Sequence, residues 1–171
     1  MTAEKLVQSS KDQLNLVLSF FPRVETKLSV LLAINTGMLA VLGTNAPPLS
    51  AFSLLMKVIT ATTLLLLAAS IVMLYLGAFP SLKGGHDSLV YFREIAKRTE
   101  HRFVEEFRAQ TEERLSADLL GQVWRNSEIL RKKYDCLKGA FTLIALAIPL
   151  WAVSVLFFAA YNSQARSIFL K

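Results

Sequence analysis

The 171-residue chain has a single cysteine, Cys136, which excludes an internal disulfide framework and a multi-thiolate metal site. On its own Cys136 reads as a small, semi-buried helix residue, the usual role of a lone thiol. Histidine is nearly as scarce. His86 and His101 lie among charged residues, where a solvated side chain is expected rather than a ligand or a base. The chain also lacks a G-x-x-x-x-G-K-[ST] phosphate loop, a G-x-G-x-x-G turn after a strand, an H-E-x-x-H helix and a G-x-S-x-G elbow. No catalytic residue, enzymatic activity, cofactor or metal is expected.

What the chain has in excess is apolar sequence. Its hydrophobic fraction of 53% and mean hydropathy of +0.43 are too high for an ordinary soluble domain and point to membrane spans separated by polar regions. Residues 1–27 place Leu6, Leu14, Val17, Leu18 and Phe21 among polar residues, as an amphipathic helix that ends or bends near Pro22. Residues 28–80 form a helical hairpin. Its first span is short, from about 28 to 42, and is expected to continue as helix on its amino side, since a span needs about 20 residues. Asn35, Thr36 and Gly37 lie in its middle, and Ala33 with Gly37 makes a small-x-x-x-small pair suited to close helix approach. The uncharged sequence Thr44-Asn45-Ala46-Pro47-Pro48 is a turn. The second span runs from about 53 to 79 and is closed by Pro80, with Lys57 snorkelling near one end. The third span, 139–161, contains Pro149, which removes one backbone hydrogen bond and is expected to kink it.

The high pI of about 9.6 invites a nucleic-acid reading until the charges are located. Residues 1–27 hold 4 Lys and Arg, residues 82–138 hold 12, and the turn between the first two spans holds none. Both charged regions should therefore be cytoplasmic, with the Pro-Pro turn outside and a short external tail over 162–171. Within 82–138 the 12 basic residues face 10 acidic ones, so there is no concentrated basic surface and no nucleic-acid partner is expected. Membrane lipids are the expected surroundings. The pairs Glu94/Arg98, Arg108/Glu112 and Glu128/Lys132 have the four-residue spacing of solvated helix faces. After a turn at Lys83-Gly84-Gly85 we expect two short helices broken near Thr99, with apolar faces at Leu89, Phe92, Ile95, Ala96 and at Phe103, Phe107. A long helix should then begin at Ser116 and run into the third span. On it Leu119, Val123, Leu130, Tyr134 and Leu137 form a stripe, edged by Gln122, Asn126 and Lys133 as a candidate pocket wall. The expected architecture is all-α: an integral membrane helical protein with about three transmembrane helices. A cytoplasmic helical region over 81–138 separates the second span from the third, and the last span is continuous with a long cytoplasmic helix.

Several stretches in combination resemble a known family. Leu-Leu-Ala-Ile-Asn-Thr-Gly in the first span, the exit from the second at Ala-Phe-Pro, Leu-Val-Tyr-Phe-Arg-Glu-Ile-Ala, and Leu-Gly-Gln-Val-Trp-Arg-Asn-Ser-Glu-Ile-Leu-Arg-Lys-Lys-Tyr-Asp-Cys-Leu-Lys-Gly-Ala-Phe together look like the transmembrane effectors of the bacterial Pycsar anti-phage systems. The similarity covers roughly residues 26–158. It implies a partner cyclase that makes a cyclic pyrimidine mononucleotide (cUMP or cCMP) on infection. The effector in the inner membrane then impairs membrane integrity, giving abortive infection. A cyclic mononucleotide is a monoanion with an aromatic base, so its site needs cationic donors, an amide and a stacking surface. Arg125 or Lys133 for the phosphate, Gln122 and Asn126 for the base edge, and Phe92, Trp124 and Tyr134 for stacking are the candidate ligand-binding residues. Ala33, Asn35, Gly37 and Pro149 are the candidate membrane-packing residues. Three spans offer too little surface for a monomeric pore, so a homo-oligomer is expected. Two other readings stay open: an oligomeric ion channel with a different trigger, and a membrane interaction protein without nucleotide sensing.

Overall fold

The computed structural model describes residues 2–79 and 84–169, with side chains described as far as Gln164. Among them there is no strand. The helices are α1 (Ala3–Leu18), α2 (Phe20–Asn45), α3 (Leu54–Ala78), α4 (Phe92–Ile95), α5 (Glu100–Arg108) and α6 (Glu112–Phe169), with a 3-10 turn at Leu49–Ala51. Three helical stretches are long and apolar enough to cross a membrane: Ala3–Asn45, Leu54–Ala78 and Glu112–Gln164. The expectations for Pro80 and Lys83 fall outside the described residues.

Helix ends follow local chemistry. The first break comes at Ser19, ahead of Pro22. Pro22 thereby falls in the first turn of α2, where its missing N–H serves no intrahelical bond. Pro47 and Pro48 stop α2 shortly after Asn45. Ser53 caps α3, its Oγ accepting from Met56 N at 3.3 Å. The long helix starts four residues earlier than its sequence signal, because Thr111 Oγ1 accepts from Arg114 N at 3.3 Å and so caps it at Glu112. It then runs unbroken through Pro149, whose ring lies on an exposed face.

The chain divides into two compact units, residues 1–25 with 79–133 and residues 26–78 with 134–171. In the second, apolar unit, α3 buries Thr63, Leu67, Ser70, Leu74 and Gly77, at alternating steps of four and three. Ala140, Ile144, Ala147, Ser154 and Phe158 of α6 follow the same rhythm around half-buried Trp151. This is the spacing of knobs-into-holes packing. Met38, Leu42, Leu67, Ile144, Ala147 and Phe158 form the core. Polar side chains tie the three helices pairwise, which matters where no hydrophobic force between spans exists. Asn35 Nδ2 donates to Leu67 O at 3.2 Å, Ser70 Oγ to Ala140 O at 3.3 Å and Trp151 Nε1 to Met38 O at 3.0 Å. Asn162 Nδ2 reaches Asn45 O at 3.1 Å, one of the carbonyls left open at the end of α2.

Candidate functional site

The polar unit is organised by Arg98. Its side chain is only 6% exposed, and its guanidinium fork uses every direction it has. Nη2 donates to Asp87 Oδ1 at 2.6 Å and to Asp87 O at 3.3 Å. Nη1 donates to Glu94 O at 2.8 Å and Ser88 O at 3.4 Å, and Nε to Glu106 Oε2 at 2.7 Å. One residue therefore fastens the 87–88 turn, α4 and α5 together. Asp87 has φ 56°, a left-handed conformation that Asp tolerates better than most residues. Glu106 accepts a second bond from Arg102 Nε at 2.7 Å. Arg102 and then Arg98 hold the Glu106 carboxyl below its ordinary range, and Lys97 chiefly does the same for Glu94. Glu106 in turn raises the Arg98 pKa above its already high value.

Ser88 joins this frame to α6. Its buried Oγ accepts from Val90 N at 3.1 Å, Tyr91 N at 2.9 Å and Gln122 Nε2 at 3.3 Å. Asp118 Oδ2 accepts from Leu89 N at 2.8 Å on the same side of the helix. At Gly84 an added Cβ would fall 2.0 Å from the Tyr91 ring, so a larger residue there must displace that ring. Beside these contacts lies a polar cavity of about 320 Å³, walled by His86, Asp87, Ser88, Gln110, Arg114 and Asp118. Gln110 turns a buried Oε1 without a hydrogen-bond partner, and Arg114 stands 3.7 Å from Asp87. A cavity with both donors and acceptors suits a small polar molecule; its two carboxylates against one guanidinium do not make it a simple anion trap. No cluster of His, Cys, Asp or Glu suited to a metal occurs among the described residues.

Gln122 is buried and holds Ser88, and Asn126 Nδ2 donates back to Gln122 O at 2.8 Å, so these two stand together. Arg125 is bonded to Glu128, and buried Lys133 lies 3.5 Å from Glu25. Phe92 and Trp124 are each 64% exposed; Phe92 is stacked edge-on against Tyr91 at 5.0 Å. Tyr134 belongs to the other unit. There Asn35 is wholly buried with Oδ1 unpartnered, whereas Ala33, Gly37 and Pro149 face outward, Gly37 with nothing near it. No motif or spacing in the sequence marks Arg98, Ser88, Asp87, Glu106 or Asp118 as site residues. The spacing of Glu94 and Arg98 suggests a solvated pair, but the Glu94 carboxylate goes to Lys97 and Arg98 turns inward. Glu128 likewise pairs with Arg125 rather than Lys132, and the break at Gln110 separates Arg108 from Glu112.

A family model described as the Pycsar effector protein domain matches residues 10–160. No curated protein and no solved structure matches the chain significantly. The match takes in most of α1, the apolar helices, the Arg98 frame and α6 almost to its end. With three helices suited to crossing a bilayer, this is a membrane protein of the anti-phage defence systems, and the chain belongs to the Pycsar effector family.

Proposed function

We propose that the chain is a non-enzymatic effector of the bacterial inner membrane that responds to a cyclic pyrimidine mononucleotide, cUMP or cCMP, by impairing membrane integrity and so aborting infection. The observation that carries this reading is α6. It is one helix of 58 residues, about 87 Å in contour, that carries Asp118 and Gln122 of the polar unit and Ala147 and Phe158 of the apolar core. A helix shared in this way gives a local rearrangement in the polar unit a route to the spans. The distribution of Lys and Arg supports a cytoplasmic polar unit and N-terminus, where a partner cyclase would release its product.

Nucleotide sensing is assigned to the polar unit around Gln122 and Asn126, with the neighbouring cavity as the space for the ligand. Arg125 and Lys133 already face carboxylates, so phosphate binding by either exchanges one anion for another, and at Lys133 it releases α6 from Glu25 of α2. Arg114, with only a loose contact to Asp87, is the cation that can accept a phosphate at least cost. The ligand must favour the rearranged state by differential affinity, or it drives nothing. The outward face at Ala33 and Gly37 supports assembly of several copies, which membrane damage by three-span subunits requires.

The test is dye entry into cells expressing the full chain, with and without cUMP or cCMP supplied by a cyclase. The reading expects entry only with a cyclic pyrimidine, and loss of that response together with nucleotide binding when Arg114, Gln122, Arg125 and Lys133 are replaced jointly. Nucleotide binding that survives the joint replacement removes the assigned site; entry that ignores the nucleotide removes the trigger.

A further inference from the structure

The apolar unit contains a groove of about 490 Å³ between α2 and α6, in the size range of small-molecule sites. An apolar surface on a membrane helix ordinarily meets lipid tails and means little. The charged part of its lining distinguishes this groove. Lys27, Lys138 and Tyr134 line it together with Val30, Leu31, Leu137 and Phe141. Val30 is 52% and Phe141 61% exposed, so the apolar lining is open to the surroundings.

Both lysines mark a boundary in the sequence. After Lys27 no charged residue occurs until Lys57, and after Lys138 none occurs until Arg166. Their ammonium groups therefore stand where the two helices pass from charged to uncharged sequence, the depth at which lipid headgroups lie. Neither makes an ion pair among the described residues, and the Tyr134 hydroxyl makes no hydrogen bond there. The nearest acidic residue on α2, Glu25, faces Lys133. Two unpaired like charges on one groove repel each other, and an anion placed between them relieves that repulsion while gaining two charge-assisted bonds.

We propose that this groove is a binding site for an anionic glycerophospholipid of the surrounding bilayer. Lys27 and Lys138 hold the headgroup phosphate, Tyr134 donates to one of its oxygens, and an acyl chain lies along Val30, Leu137 and Phe141. The arrangement is a basic pocket between membrane helices, a recurrent form of lipid headgroup recognition. It is independent of the nucleotide reading.

The test uses the full chain in a non-ionic detergent, titrated with phosphatidylglycerol or phosphatidylcholine, with bound lipid counted by native mass spectrometry. Each juxtamembrane cation contributes about fivefold in affinity for an anionic lipid, so Lys27→Gln with Lys138→Gln is expected to weaken phosphatidylglycerol binding roughly thirtyfold. Lys27→Arg with Lys138→Arg should retain it. Arg131→Gln with Lys132→Gln, which removes two exposed charges outside the groove, should change it less than twofold. Four results would overturn the site. They are unchanged binding in the Lys-to-Gln variant with helix content intact, an equal loss in the Arg131 and Lys132 variant, equal affinity for phosphatidylcholine, and displacement by chain-free glycerophosphoglycerol at matching concentration. The last would mean a soluble anion rather than a lipid. If the Lys-to-Gln variant does not fold, Phe141→Ala takes its place and must weaken phosphatidylglycerol binding without removing its preference over phosphatidylcholine.

Discussion

Two glycines of the apolar unit are chemically identical and should respond oppositely to the same substitution. At Gly77, where α3 meets two neighbours, an added Cβ would lie 3.0 Å from the Cys136 Cβ and 3.2 and 3.4 Å from the Leu28 methyl carbons. Carbon atoms in contact prefer about 3.5 to 4.0 Å. The Leu28 methyls can turn aside, but the Cys136 Cβ is fixed to the α6 backbone, so α3 and α6 must separate by several tenths of an ångström. Overpacking of this kind costs about 1–3 kcal/mol, and the gain in helix propensity from Gly to Ala returns up to about 1 kcal/mol. Gly77→Ala should therefore destabilise by about 1–2 kcal/mol. At Gly37 no atom of the same chain lies within 4 Å of the added Cβ, so under detergent dilution that keeps the chain monomeric Gly37→Ala should stabilise by about 0.5–1 kcal/mol. The gap of roughly 2 kcal/mol, about thirtyfold in the folding equilibrium, is readable by titrating the full chain in mixed micelles with a denaturing detergent. Placing Gly77→Ala in a Cys136→Gly background should recover most of its cost, as contact between the two positions requires. Equal stabilities for the two alanine variants, or no coupling to Cys136, would refute the packing described.

In the polar unit, Ser88→Ala strands three donors that converge on a buried oxygen and should cost about 2 kcal/mol, measured as a shift in urea midpoint of the full chain in detergent. An effect under about 0.5 kcal/mol would show that water replaces the hydroxyl freely. Acid should loosen the same unit. Glu94 and Glu106 have depressed native pKa values, so the unfolded chain binds more protons below the ordinary carboxylate range; their stabilisation is complete above about pH 5 and is lost as pH falls through the depressed values. Glu106→Gln should flatten that loss between about pH 5 and 3 in denaturant titrations, and a wild-type chain that gains stability on acidification contradicts it.

The three spans were legible because apolar run length is a property of the chain itself. The apolar runs over 28–42, 53–79 and 139–161 announce the helices that cover them, and Pro47 with Pro48 announces the turn. Helix starts were less legible where a polar cap sits ahead of the apolar signal, as with Thr111. The polar unit was hardest to read. Its contacts join residues far apart in sequence, Ser88 to Gln122 and Leu89 to Asp118, and no periodicity encodes them. Charge spacing was misleading there: a buried arginine and a solvated one look alike in sequence, and only the fold shows that Arg98 satisfies three backbone carbonyls and two carboxylates. Phe92 and Trp124, aromatic in sequence and so attractive as stacking surfaces, point into the open, while Gln122 and Asn126 do stand together. The buried lysine at 133 likewise needed Glu25, more than 100 residues away, to be understood.

The central claim is that a nucleotide signal received by the polar unit is turned into membrane damage by this chain alone. Release of an entrapped dye from liposomes holding the purified protein, before and after addition of cUMP or cCMP, tests it most directly. The account requires tight vesicles without nucleotide and release that rises with one of the two cyclic pyrimidines. Vesicles that stay sealed with both, or that leak equally without either, would contradict it.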